Sequence, residues 1–139
     1  MIITPSGAEL VAAGEQSRLC VGVDIVAVAR TARWVRRYRP ELQYVFTAAE
    51  REQADDSRYP EQVYALCFGA KEAVGKALSC GLAGIEWTDV EATVTPHQLL
   101  LRLTGAAAAL ATGHGVDRWL GSWSRAGDLV FVCALGCAP

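Results

Sequence analysis

From residue 19 the chain reads LCVGVDIV, a β-branched and apolar run broken by one acid, Asp24. The run predicts a buried strand interrupted by a charge. The period then lengthens. Val28, Ala32, Val35, Tyr38, Leu42 and Val45 recur at steps of three and four. They predict a helix over 27–45, which Pro40 would bend or split. Thr47 and Glu50 stand at capping-box spacing and open a short helix in TAAEREQADD. The polar stretch DDSRYP breaks the chain. Pro60 then suits the first turn of a helix over 60–79, and Gly81 can end it.

The second half is shorter in period. EWTDVEATV (86–94) and QLLLRL (98–103) predict strands joined near Pro96. TGAAAALAT (104–112) predicts an alanine-rich helix with Thr104 as its cap. Segments 116–124 and 128–135 close the chain as a strand pair. The order of strand, helices, strand, strand, helix, strand, strand predicts one α+β domain, and 139 residues suit a single domain.

Composition narrows the function. Apolar residues make up 52% of the chain and charged residues 20%, enough for a core and a solvated surface. No run approaches the roughly 18–20 apolar residues of a membrane span. The N-terminus lacks the basic start and apolar stretch of a signal peptide. A soluble cytoplasmic protein is the expectation, with no membrane partner. A net charge of −2 argues against a general nucleic-acid binder. The five cysteines (20, 67, 80, 133 and 137) show no metal-like pairing and are expected to be buried, reduced thiols.

Charge is unevenly spread. The only two lysines, Lys71 and Lys76, lie in FGAKEAVGKAL (68–78). Five of the eleven arginines lie in RTARWVRRYR (30–39), with Arg30, Arg33 and Arg37 on one helical face. Glu72 and Lys76 have the spacing of an ordinary stabilising helix pair. Yet Asp24 is an acid within an apolar strand, costly to bury unless paired or bound to a cation. Two carboxylates on separate elements, Asp24 and Glu72, form a minimal oxygen site for Mg²⁺. Lys71 and Lys76 would then offer positive charge to phosphates. Gly69, Ala70, Ala73 and Gly75 leave room for close approach by a ligand or by another backbone.

The order VGVDIVAVAR, FTAAE, FGAKEAVGKAL resembles the holo-acyl-carrier-protein synthase type of 4′-phosphopantetheinyl transferase. GLAGIEWTDVEAT, LLLRLTGAAAALA and SWSRAGDLVFVCAL extend the resemblance over about residues 19 to 136. It implies an antiparallel sheet with packed helices over 19–139, preceded by an N-terminal extension over 1–18, and assembly as a homotrimer. It also implies transfer of the phosphopantetheine arm of coenzyme A to a serine of an acyl carrier protein in fatty-acid or polyketide synthesis.

By the same resemblance Asp24 and Glu72 are the metal ligands and act in catalysis with Lys76, which meets the pyrophosphate. Lys71 also faces phosphate, and the small residues of its helix admit the coenzyme. Arg30, Arg33 and Arg37, with Arg36 and Arg39 beside them, form the carrier-protein docking surface. Trp34 and Tyr38 are packing residues, and His97 and His114 lie on loops or the surface.

Three positions depart from the pattern. Ala27 replaces an acid. Cys67 replaces an arginine that would help hold the coenzyme 3′-phosphate, a role Arg58 could take over. Arg125 replaces a histidine, keeping a cation for phosphate but losing a proton shuttle. These departures leave an alternative: a degenerate relative that binds carrier protein or coenzyme A without transfer.

Overall fold

The computed structural model describes residues 18–139, so the extension expected over 1–18 lies, but for Arg18, outside the described residues. The chain runs β1 (Leu19–Ala27), α1 (Val28–Arg37), a 3₁₀ segment (Arg39–Tyr44), α2 (Ala48–Asp55) and α3 (Pro60–Ala77). A 3₁₀ turn (Trp87–Asp89) follows, then β2 (Val90–Val94), β3 (Leu99–Leu103), α4 (Gly105–Gly113), β4 (Arg118–Ala126) and β5 (Leu129–Cys137). The five strands form one antiparallel sheet in the order β1-β5-β4-β3-β2.

The helix expected over 27–45 is split. Tyr38 donates its N–H to Trp34 O, and the chain tightens into the 3₁₀ segment with Pro40 in its first turn. Proline has no N–H to continue the ladder. The apolar period survives the break, because Leu42 and Phe46 still enter the core. Thr47 and Glu50 close the capping box of α2 as expected. Thr104 stands at the N-cap of α4, but its side chain makes no capping bond. The strand expected over 86–94 begins only at Val90, since Trp87–Asp89 coil into the 3₁₀ turn.

Helix α3 packs across one face of the sheet and is buried nearly all round, as a central helix must be. Its small residues serve that packing rather than admitting coenzyme. A Cβ built on Gly22 of β1 would fall inside the carbonyl of Ala73, and one on Gly69 would lie 2.9 Å from Val132 Cγ2. Close approach of helix to sheet leaves no space for a ligand between them.

The sheet's other face is open. β1 was expected to be buried, yet Leu19, Val21, Val23 and Ile25 are 52–67% exposed. They alternate with Gly22 and Val26, which face α3, so β1 is buried on one side only. Register places Val21 against Leu135, and Leu135 against Leu120, so the apolar outer face spans three strands. Of the cysteines only Cys67 is buried; the other four are partly exposed, and all five are free thiols.

Candidate functional site

Asp24 pairs in register with Val132, on the face of the sheet that α3 covers. Glu72 and Lys76 stand one turn apart on α3, and that turn crosses β1 beside Gly22. Close approach at Gly22 therefore brings the three charged residues together. Lys76 Nζ lies 2.8 Å from Asp24 Oδ1 and donates to Val23 O at 3.0 Å. The pair is lopsided in exposure: the Lys76 side chain is 51% exposed and that of Asp24 15%. Lys76 thus reaches across to the strand instead of closing the helical pair with Glu72.

Asp24 and Glu72 line one open cleft of about 490 Å³. Arg30 stands at its rim, and Trp34, Phe68 and Leu129 form an apolar wall. Phe68 is stacked on Trp87 with ring centroids 5.3 Å apart, which stiffens that wall. Burial pushes the Glu72 carboxyl above its usual range, and the neighbouring charge of Asp24 adds to the shift. The hydrogen bond to Asp24 raises the Lys76 ammonium. Asp24 thus has a cationic partner in Lys76, while Glu72 lines the same cleft with no ion pair of its own among the described residues.

Whether a divalent cation fits turns on these two carboxylates. Asp24 adds to the cost of ionising Glu72, and a hard cation beside both would offset it. The donor set is small. Among the described residues no group of three His, Cys, Asp or Glu side chains is placed to hold a metal. Ala27 lines the cleft where a third acid was missing from the sequence. Asp24 and Glu72 suit a Mg²⁺ ion that keeps several waters, not a closed protein cage.

Lys71 is not a phosphate contact. Its side chain is fully buried, with Nζ 2.8 Å from Glu50 Oε2. It also donates to Trp87 O at 3.0 Å and to Val90 O. An ammonium with acceptors on three sides has neither the exposure nor the free protons to meet a ligand. Glu50 in turn accepts from Ala92 N at 2.8 Å. One ion pair thus ties α2, α3 and β2 together. Burial pushes the Glu50 carboxyl up against the pull of Lys71.

Cys67 does not edge the cleft either. It is buried against β2, its thiol 3.7 Å from Ala92 O, and burial drives its pKa well up. A long cation at this position would point into the core of this chain. Arg58 is exposed and lies over the Tyr59 ring. Arg125 bonds Gln62 Oε1 at 2.6 Å and Gly127 O at 2.9 Å. Neither lines the cleft.

The arginines of α1 are exposed as expected, and they border different features of the surface. Arg30 lines the cleft, Arg37 lies over Tyr38, and Arg36 and Arg39 border a smaller groove with Asp55 and Glu61. His97 and His114 are exposed.

Two features were not anticipated. Trp34 does pack, against Phe46 and Phe68, but it also walls the cleft. Its place four residues after Arg30 was the available signal. Asp128, in the β4–β5 turn, caps α1 by accepting from Ala29 N at 3.0 Å. No sequence signal links residues 29 and 128.

Two carboxylates beside a half-exposed ammonium, set on an α+β sheet, suit the handling of phosphate. The family model described as the 4′-phosphopantetheinyl transferase superfamily matches residues 20–122. The chain is 39% identical over 123 residues to the holo-[acyl-carrier-protein] synthase of Desulforudis audaxviator, covering 87% of this chain and 94% of that one. Its fold matches the crystal structure of the Neisseria meningitidis holo-[acyl-carrier-protein] synthase with a TM-score of 0.74 at 21% identity, over 84% of this chain and 96% of that one. It also matches the coenzyme A complex of the Chronobacterium ammoniagenes enzyme with a TM-score of 0.71 at 25% identity, over 88% and 98%. The protein belongs to the 4′-phosphopantetheinyl transferase superfamily, and its similarity within it is to the holo-[acyl-carrier-protein] synthases.

Proposed function

We propose that the protein transfers the 4′-phosphopantetheine arm of coenzyme A to a serine of an acyl carrier protein. The seryl oxygen bonds to the phosphorus that carries the pantetheine. The bond from that phosphorus to the bridging oxygen on the adenosine side breaks. The serine proton is released, and adenosine 3′,5′-bisphosphate leaves. The observation that carries this reading is the meeting of Asp24 and Glu72 at one open cleft, with the Lys76 ammonium on Asp24.

Positioning and charge neutralisation do most of the work in phosphoryl transfer. Asp24 and Glu72 would hold Mg²⁺, which supplies positive charge to the coenzyme phosphates. Lys76 is the cation of α3 with solvent access, so it stabilises charge on the leaving phosphate. Trp34, Phe68 and Leu129 exclude water from one side of the cleft. Arg30 at the rim, with Arg33 and Arg37 beyond it, orients an acidic carrier-protein helix and raises its association rate. The synthesis this serves is that of fatty acids or polyketides, in the cytoplasm. No helix among the described residues is long and apolar enough to cross a membrane.

We also propose that the outer face of the sheet is buried in a homotrimer. Leu19, Val21, Val23, Ile25 and Leu120 are too large and too contiguous for a solvated surface. Arg58 and Arg125 stand apart from the cleft of their own chain, so in this reading they contact coenzyme only across a subunit boundary.

The test is the intact mass of an apo-carrier protein incubated with coenzyme A, Mg²⁺ and this protein. A gain of one phosphopantetheine is expected. Measurable carrier binding with no gain across several carriers would overturn the transferase reading.

A further inference from the structure

Lys76 has two partners that no phosphate ligand needs. Its ammonium bonds both Asp24 Oδ1 and Val23 O, so it sits on the carboxylate that lines the cleft from β1. Glu72 lines the same cleft from α3, and Arg30 lines it from α1 without an ion pair to Asp24. A cation is thus already seated on one of the two carboxylates. We infer that Lys76 is a stand-in for the metal: it occupies Asp24 in the metal-free protein and is displaced when Mg²⁺ binds Asp24 and Glu72.

The inference rests on the metal reading above and adds an order of events to it. A divalent cation on Asp24 draws on the same carboxylate charge and repels the ammonium beside it, so the ion pair with Lys76 weakens. The exchange is cheap, because an ion pair with one half-exposed partner is worth at most about 1 kcal/mol. Lysine suits the part: a point charge on a flexible stem can swing, whereas a bidentate arginine would resist release. Once displaced, the ammonium is still anchored one turn from Glu72. It becomes free to meet phosphate only after the metal is in place. Metal binding therefore prepares the phosphate contact, and before it the carboxylates do not repel one another unopposed.

The chain's lysine content makes this directly observable. With only Lys71 and Lys76 present, protein labelled with ¹³C at the lysine ε-carbon gives two side-chain signals. Lys76→Arg removes one and so assigns both. Mg²⁺ is then titrated alone, with no coenzyme, and its binding is followed in parallel by calorimetry. The Lys76 signal is expected to move toward that of free lysine with the calorimetric midpoint, while the signal of buried Lys71 stays still.

A second measurement separates displacement from simple loss of charge. Lys76→Met should tighten Mg²⁺ binding by up to about fivefold, the worth of the released ion pair. Arg30→Gln, which removes a cation from the same cleft, should tighten it less. Mg²⁺ binding that leaves the Lys76 signal in place overturns the stand-in role and leaves the metal site intact. Equal tightening by both variants does the same. Absence of any Mg²⁺ binding to the unaltered protein overturns both.

Discussion

Lys71 and Glu50 form an ion pair of 2.8 Å from which both side chains are wholly withdrawn from solvent. A buried pair is hardly better than an apolar one of equal shape, but half of it is much worse than either. Lys71→Met leaves the Glu50 carboxylate with Ala92 N and Thr47 N alone. The expected loss is about 3–5 kcal/mol, read from the midpoint of denaturant unfolding. Lys71→Met with Glu50→Leu should recover much of it. A single variant as stable as the parent would show that the pair does not hold the fold.

Glu72→Gln is expected to separate stability from activity. The folded-state carboxyl is raised mainly by burial and next by Asp24, so its ionisation opposes folding. That penalty is present at neutral pH and fades as pH falls through the carboxylate range, where Glu72 takes up its proton. Glu72→Gln should therefore raise the metal-free melting temperature at pH 7 by about one to three degrees. The gain should shrink as pH falls toward 4.5, the ordinary value for this group, and be gone below it. Transfer to carrier protein should be abolished. An unchanged rate removes Glu72 from the site.

Gly22→Ala tests whether helix packing builds the cleft. The added carbon would overlap the Ala73 carbonyl, which belongs to a helix backbone and cannot turn aside. Overpacking of this kind costs roughly 1–3 kcal/mol or more. Helix α3 must move off β1, carrying Glu72 and Lys76 away from Asp24. Transfer should fall further than stability, measured as kcat in the soluble fraction. Wild-type kcat would show that the site tolerates the shift.

Arg33→Glu combined with Arg37→Glu should raise KM for carrier protein and leave kcat nearly unchanged. Exposed charges act on encounter rather than chemistry. The effect should diminish as salt is added. A drop in kcat at saturating carrier would place these arginines in the reaction itself.

Val23→Asp, on the open face of the sheet, should leave the chain folded but reduce its assembly. Light scattering coupled to size exclusion reads this directly. A parent protein that is already monomeric would overturn the trimer.

Much of this molecule could be read from the chain alone. Thr47 and Glu50 announced the start of α2, Pro40 the break after α1, and segments 116–124 and 128–135 the final strand pair. The order of Asp24, the FTAAE segment and the KEAVGKAL helix marked both the family and the carboxylates that meet in the cleft. The element signals are local, because caps and turns depend on residues a few positions apart. What the sequence left open was the orientation of α3. That helix is apolar or small on nearly every side, so no amphipathic phase distinguishes the face that meets the sheet. Lys71 and Lys76 therefore looked alike. Tertiary packing gave one to Glu50, Trp87 and Val90 in the core and the other to Asp24 at the cleft. Each of these partners lies sixteen or more residues away from its lysine. Burial decides what a lysine can do, and burial is settled by which distant backbones close around it.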